Sequence, residues 1–312
     1  MSPSVSVIIC AYTEERRADI REAVASLRQQ TRPPEEIILA IDNNRDLYEG
    51  LRVEELGEST HVVLNQEVKG LSATRNVGVV GAQGDLIAFL DDDAVAEPDW
   101  LERLLVHFEN PKVRAAGGRS ILVWARGRPA WFPEALDWIV GGSFTWLPLR
   151  TADVTNPHGH NMCFRRETFA GVGMFETALG RQGNGSQGGE EREFCLRLAH
   201  HFPDARIIYD PAALIRHKVP AVRSRWSYVF RRSYGEGLSK AYIKRASRIY
   251  SKEPLSTENG YLRYLLFHAI PSRLVRFWRL PALAQVAAML LCIATVGVGY
   301  TVGRWRYRQI LP

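Results

Sequence analysis

Four short apolar runs rich in β-branched residues, at 4–11, 36–41, 61–64 and 86–90, alternate with stretches whose apolar residues recur at helical spacing. Runs of this kind are too continuous for a strand with one wet face, so they predict strands buried on both sides. In 14–30 the residues Ile20, Ala23, Val24 and Leu27 fall on one helical face, and Pro33 and Pro34 stop the helix. A weaker helix is expected near 47–56 and a clearer one over 72–82. Strands alternating with helices imply parallel βαβ units, hence a Rossmann-like α/β fold with a mostly parallel sheet.

Beyond the fourth run, Pro98 suits the first turn of a helix over 99–109, and a strand is expected at 115–123. The section 126–157 is rich in Trp, Pro and Gly without a period, and reads as loops covering a site. Its Trp124, Trp131, Trp138 and Trp146 are open to sugar stacking, lipid contact or plain packing. A strand at 160–165, a helix at 190–201 and strands near 206–209 and 213–217 follow. The stretch 280–303 holds no charged residue and is long enough for a hydrocarbon core of roughly 30 Å. Just before it, 261–278 mixes large apolar residues with Arg263, Arg273 and Arg276, the pattern of an interfacial amphipathic helix, with a break expected at Pro271.

Charge is divided unevenly. Residues 218–280 carry 14 Lys/Arg against 3 Asp/Glu, whereas the first 217 residues are net negative within a total of +6. An acidic body joined to a basic segment suggests metal or nucleotide handling in the first and contact with phosphate or anionic lipid in the second. Nucleic acid is the competing partner for the basic part, and the apolar stretch directly after it favours membrane over nucleic acid. Four cysteines without CxxC spacing suggest neither a disulfide framework nor a zinc knuckle. The N-terminus lacks a secretory pattern, so the body of the chain is expected in the cytoplasm. These features divide the chain into a catalytic domain at 1–217, a basic amphipathic segment at 218–280, a transmembrane helix at 281–303 and a basic tail at 304–312. In an alternative arrangement the apolar helix lies in the membrane interface or re-enters on the same side.

The fourth run ends in Asp91-Asp92-Asp93, and in open α/β sheets ligands bind beyond the carboxyl ends of the strands. Asp91 and Asp93 point the same way along an extended backbone and can share a Mg²⁺ or Mn²⁺ whose other positions go to water and phosphate oxygens. A solvated acidic turn before Pro98 would use the same residues.

Context separates the two readings. SVIICAYTEERR, then Asp42, then KGLSATRNVGVVGAQGDLIAFLDDDAVAEPDWL, GHNMCFRRETFAGVGMF, GGEEREFCLRL and RHKVP together resemble, in order from about Ser4 to His217, glycosyltransferase family 2. The resemblance implies a GT-A fold and inverting, metal-dependent transfer from a UDP- or GDP-linked sugar. Ala11, Tyr12, Thr13 and Glu15 would lie at the donor, Asp42 would accept a hydrogen bond from the base, and Arg75 would pair with phosphate or fix an acid. Asp91 and Asp92 would touch the donor, while Asp91, Asp93 and His217 would hold the metal. Asn76 and Gly78 would shape the turn.

Glu190-Glu191 stands where the family usually has Glu-Asp, so Glu191, the implied base, is one methylene longer than usual. Helix-dipole stabilisation alone would also explain two acids at a helix start. His160, Asn161, Glu190 and Trp146 are candidates for the acceptor side, and His158 with His160 lacks a third metal ligand at suitable spacing. The absence of GxGxxG and GxxxxGK[ST] disfavours a dinucleotide oxidoreductase and a P-loop NTPase. Val222 to Trp226 replaces the QxxRW of processive family members without its Gln, which points to one-sugar transfer. A lipid-linked hydroxyl acceptor is expected. Direct transfer to polyprenyl phosphate and a catalytically silent nucleotide-sugar or membrane-binding protein are the alternatives.

Overall fold

A computed structural model of the chain describes residues 3–51, 56–183, 185–249 and 254–308. The chain divides into two compact units. The first comprises Met1–Ile121, Pro148–Asn184 and Glu190–His217, and the second comprises Leu122–Leu147, Gly185–Gly189 and Lys218–Pro312. The second unit therefore takes in two segments, 122–147 and 185–189, that precede the expected boundary at 217.

The strands are β1 (Val5–Ala11), β2 (Glu36–Asp42), β3 (Thr60–Asn65), β4 (Leu86–Asp91), β5 (Ala94–Ala96), β6 (Val113–Trp124), β7 (Ala152–Asp153), β8 (Asn161–Arg165) and β9 (Arg206–Val219). Among the described residues they form one sheet in the order β3-β2-β1-β4-β8-β6-β9-β5, with β7 against β9. β3, β2, β1 and β4 run parallel to one another. β8 is antiparallel to β4 and β6, and β5 and β7 are antiparallel to β9, so the sheet is mixed rather than mostly parallel. The composition follows this division. β1 is buried almost throughout, whereas the later part of β6 alternates buried and exposed residues, as antiparallel strands with a wet face do.

Alternation along the parallel strands fills two layers. Val5, Val7 and Ile9 pack on one face with Ile20, Val24 and Leu27 of the helix Arg17–Arg28, and Ile8, Ile38 and Phe89 pack on the other with Val79. The helix Leu71–Gly81 sits close on β1 because Gly78 has no side chain, and a Cβ there would lie 2.7 Å from Ile8 Cγ2. Gly78 thus serves helix-to-strand packing rather than a turn. Asn76 exchanges two hydrogen bonds with the backbone of Phe175, at 2.9 and 3.0 Å. The parallel register sets Cys10 beside Asp91 and Asp42 beside Asn65, which brings the ends of β1, β2 and β4 to one sheet edge.

Several elements depart from expectation. The two strands expected near 206–209 and 213–217 are one strand, β9, and Asp210 Oδ1 caps the irregular step at Pro211 by accepting from Ala212 N at 2.9 Å. The helix expected near 47–56 is Arg45–Gly50, with residues 52–55 outside those described. The helix Arg166–Val172 and the short β5 have too few residues to show a period, and periodicity missed both.

In the second unit, Glu134–Val140 is a 3₁₀ helix rather than loop. Its residues Ala135, Leu136, Ile139 and Val140 enter a core with Phe132, Val229 and Met289. Trp131 stacks on Trp226 at 3.9 Å, Trp124 meets Phe132 edge-on, and Trp138 Nε1 donates to Tyr261 Oη at 3.1 Å. Packing explains these three tryptophans. Helical backbone runs without a break through Ser256–Tyr264, Leu265–Ala269 and Ile270–Leu274. The middle piece is a wide π turn directly before Pro271, which absorbs the ring clash and missing N–H that would otherwise end a helix.

The helix Leu280–Arg306 is long and apolar enough to cross a membrane. One face is committed to protein. A Cβ on Gly237 would lie 2.2 Å from Val296 O, and one on Gly299 would lie 2.2 Å from Tyr234 O, so this helix and Trp226–Ala246 touch backbone to backbone. The partner helix carries Arg231, Arg232, Glu236, Lys240 and Lys244. On the opposite face Leu283, Leu290, Leu291, Val298, Val302 and Trp305 form an exposed apolar stripe at helical spacing.

Candidate active site

The parallel strands deliver their C-terminal residues to one place, and the acids arrive there largely desolvated. Asp92 and Asp93 are 3% exposed, His217 is 1% exposed and Arg75 is 3% exposed. Buried charges persist only when paired, and each here has a counter-charge or a donor. Arg16 Nη1 reaches Asp92 Oδ1 at 2.5 Å and its Nη2 reaches Asp93 Oδ2 at 3.2 Å. Arg75 holds Glu190 Oε1 at 2.5 Å, Asp91 Oδ1 at 3.7 Å and the carbonyl of Gly159 at 2.8 Å. His217 Nε2 lies 3.2 Å from Asp93 Oδ1 and 3.9 Å from Asp91 Oδ2.

The electrostatics of the three acids differ. Burial opposes the ionisation of Asp91, but the neighbouring His217 and His160 rings and the Arg75 guanidinium outweigh burial and hold its carboxyl well below the usual carboxylate range. For Asp92, burial reinforced by Asp93 and Asp91 prevails over Arg16 and pushes the carboxyl up to about 7. Burial and the neighbouring His217 lower His160 well below the ordinary imidazole value.

Asp91, Asp93 and His217 each offer a ligand atom, and these atoms lie within 4.8 Å of one another. Asp92 Oδ2 and Glu190 Oε2 are buried without a hydrogen-bond partner among the described residues. Two carboxylates and an imidazole, with further acid oxygen uncompensated beside them, fit a divalent cation such as Mg²⁺ or Mn²⁺.

The other candidates divide into those at this edge and those elsewhere. Tyr12 is 54% exposed at the tip of β1, with the Arg16 guanidinium 5.5 Å from its ring centre. Thr13 caps the following 3₁₀ turn by accepting from Glu15 N, and Ala11, buried in β1, presents only backbone to this edge. Asp42 accepts the Gly70 N–H on both oxygens at 3.1 Å, and so anchors the N-terminus of the helix that carries Arg75. Glu190 and Glu191 open the helix Glu190–His201 behind Gly189, whose φ of +91° is the left-handed turn that starts it. His160 bonds Ser120 Oγ at 2.7 Å, and its ring centre is 5.1 Å from that of His217.

Asn161 stands apart. Its Oδ1 accepts from Trp100 Nε1 at 2.8 Å and its Nδ2 donates to the carbonyls of Arg119 and Ala213, so the whole amide is spent tying β8 to its neighbours. Trp146 belongs to the second unit, with its ring 5.4 Å from Tyr264. Arg16 was not singled out from sequence. The available signal was three adjacent acids with no cation in their own segment, and an arginine in the turn that follows the adjacent strand.

Residues 6–173 match the family described as Glycosyl transferase family 2. The chain is 33% identical to the Glucosyl-dolichyl phosphate glucuronosyltransferase of Haloferax volcanii, over 96% of both chains. It is 27% identical to the succinoglycan biosynthesis protein ExoM of Rhizobium meliloti, over 75% of this chain and 72% of that one. Among solved structures, a mannosyltransferase from Pyrobaculum calidifontis in complex with GDP-Man and Mn²⁺ shares the fold with a TM-score of 0.62. The two are 17% identical, and the match covers 96% of this chain and 88% of that one.

Proposed function

The chain belongs to glycosyltransferase family 2, and from that premise we propose that it moves one sugar, with inversion, from a UDP- or GDP-linked donor to a hydroxyl of a lipid-linked acceptor. The observation that carries this reading is the cluster of Asp91, Asp93 and His217 at the sheet edge, with Arg16 and Arg75 beside it.

Each residue has a physical task. Tyr12 offers an exposed ring at the tip of β1 for the nucleotide base, and Asp42 lies at the same edge with lone pairs left for a base N–H. Arg75 fixes Glu190 and Asp91 in a set geometry, so the donor meets preorganised charge. Asp91, Asp93 and His217 would hold the cation, with Mn²⁺ favoured over Mg²⁺ by the imidazole nitrogen. When bound, the cation supplies Lewis acidity to the departing diphosphate. Glu191 takes the proton from the acceptor hydroxyl as that oxygen attacks the anomeric carbon.

A lipid-linked acceptor is supported by the Haloferax relative, a glucosyl-dolichyl phosphate glucuronosyltransferase, and by the exposed apolar stripe on Leu280–Arg306. The enzyme lies tightly on the cytoplasmic face of the cell membrane with this stripe in the interface. A crossing helix is disfavoured, because the charged helix Trp226–Ala246 packed against it would have to enter hydrocarbon as well. Membranes given this protein and a radiolabelled nucleotide sugar are expected to transfer label into an organic-extractable lipid whose new bond has the opposite anomeric configuration. Label that stays in the aqueous phase would remove the lipid-linked acceptor.

A further inference from the structure

Immediately before the long apolar helix, Arg273, Arg276 and Arg279 recur every three residues and line a cavity of about 590 Å³ together with Ser272, Pro281 and Gln285. Arg273 is held in place, with Nε 3.2 Å from Gln285 Oε1 and Nη1 3.0 Å from Ser272 Oγ. None of the three arginines has a carboxylate partner among the described residues, which is unusual for cations gathered round one concavity. The start of the 27-residue helix Leu280–Arg306 adds the positive end of its dipole at the same place.

The surroundings of the cavity are apolar and exposed. Val275, Phe277, Trp278 and Leu280 are between 64% and 81% accessible. Large exposed aromatics beside uncompensated cations mark the level where headgroups meet acyl chains. A soluble anion would use the arginines and leave the apolar collar in water, whereas a lipid phosphate uses both. Guanidinium forks also match phosphate oxygens in pairs, which a lysine cluster would not do.

We propose that this cavity binds the phosphate group of a membrane lipid, with Arg276 and Arg279 on the phosphate oxygens and Phe277, Trp278 and Leu280 against the hydrocarbon chain. It rests on the membrane association proposed above and gives the second unit a ligand site of its own. The chemistry is shared by two sources, a polyprenyl phosphate and an anionic phospholipid.

The test uses the full chain without nucleotide sugar, so a failure of glycosyl transfer does not affect it. Co-sedimentation is measured with vesicles of neutral phosphatidylcholine alone, doped with phosphatidate, or doped with polyprenyl phosphate. Either dopant is expected to raise binding, and the one that raises it more identifies the source. R276Q/R279Q should lose about thirtyfold in binding to doped vesicles and little to neutral ones, the scale for removing two cations from an anionic surface. Neither side chain makes a hydrogen bond among the described residues, and an unchanged far-UV circular dichroism spectrum and urea midpoint verify that the double variant is folded. R276K/R279K should recover part of the loss. Equal binding of wild type and R276Q/R279Q to doped vesicles, or complete displacement by dilute inorganic phosphate, would overturn the proposal.

Discussion

Glu191→Gln is expected to leave donor binding nearly untouched and to lower turnover by about a hundredfold or more, the scale of a lost general base. The two acids at the start of the helix Glu190–His201 are not equivalent. Glu190 is buried with Oε1 clamped by Arg75 at 2.5 Å, while Glu191 is half-buried one residue on. An acid that fixes a buried guanidinium is a structural partner first, and Glu191, the less buried of the two, is the acid we assign to the acceptor. Glutamine keeps the shape of Glu191 and cannot take up a proton. The companion variant Glu190→Gln should instead lose about 2 kcal/mol of stability through its weakened bond to buried Arg75, seen as a lower midpoint in urea. Steady-state turnover and denaturation of the two variants separate these roles. Wild-type turnover in Glu191→Gln would mean that Glu191 only starts the helix, or that the acceptor is a phosphate that needs no base.

Asp93→Ala should weaken metal-dependent binding of nucleoside diphosphate by about a hundredfold or more, since loss of a direct ligand costs at least as much as loss of an outer-shell partner. Asp93 is joined on one side by Arg16 and on the other by His217. Arg16 therefore stands where a cation is wanted, and it competes with an incoming one. The same titration on Arg16→Gln should show tighter Mn²⁺ binding, because two carboxylates lose their internal counter-ion. Calorimetry with Mn²⁺, with and without nucleoside diphosphate, measures both, and circular dichroism checks the fold. Unchanged affinity in Asp93→Ala would remove Asp93 from the metal site.

The parallel half of the sheet was legible because β1, β2 and β4 are buried on both faces and their runs are short, apolar and β-branched. The helix Glu190–His201 has the expected ends because Gly189 sets a left-handed turn and three acids crowd the first turn. The short β5 and β7 carry no such mark, and β9 absorbs a proline that breaks its pattern on paper. Pro271 misled in the same way, since a π turn takes up its steric demand. Tryptophan-rich 126–157 looked irregular because its helical piece is a 3₁₀ turn of few residues.

Within the site, the pairing of Asp91 and Asp93 follows from their spacing, but the approach of His217 crosses well over a hundred residues, and only the family resemblance pointed to it. Arg16 belongs to the same motif as Tyr12 and was passed over because its partners lie on another strand. The tight packing of Leu280–Arg306 on a charged helix was equally invisible, since hydropathy reads one helix at a time.

The activity itself is tested most directly by incubating the purified full chain with Mn²⁺, a membrane lipid extract and a panel of UDP- and GDP-sugars, and measuring the nucleoside diphosphate released. Release is expected from a donor of one nucleotide class, and it should vanish on chelation and in Asp93→Ala. No release above background from any donor, or release that persists undiminished after chelation, would contradict metal-dependent sugar transfer.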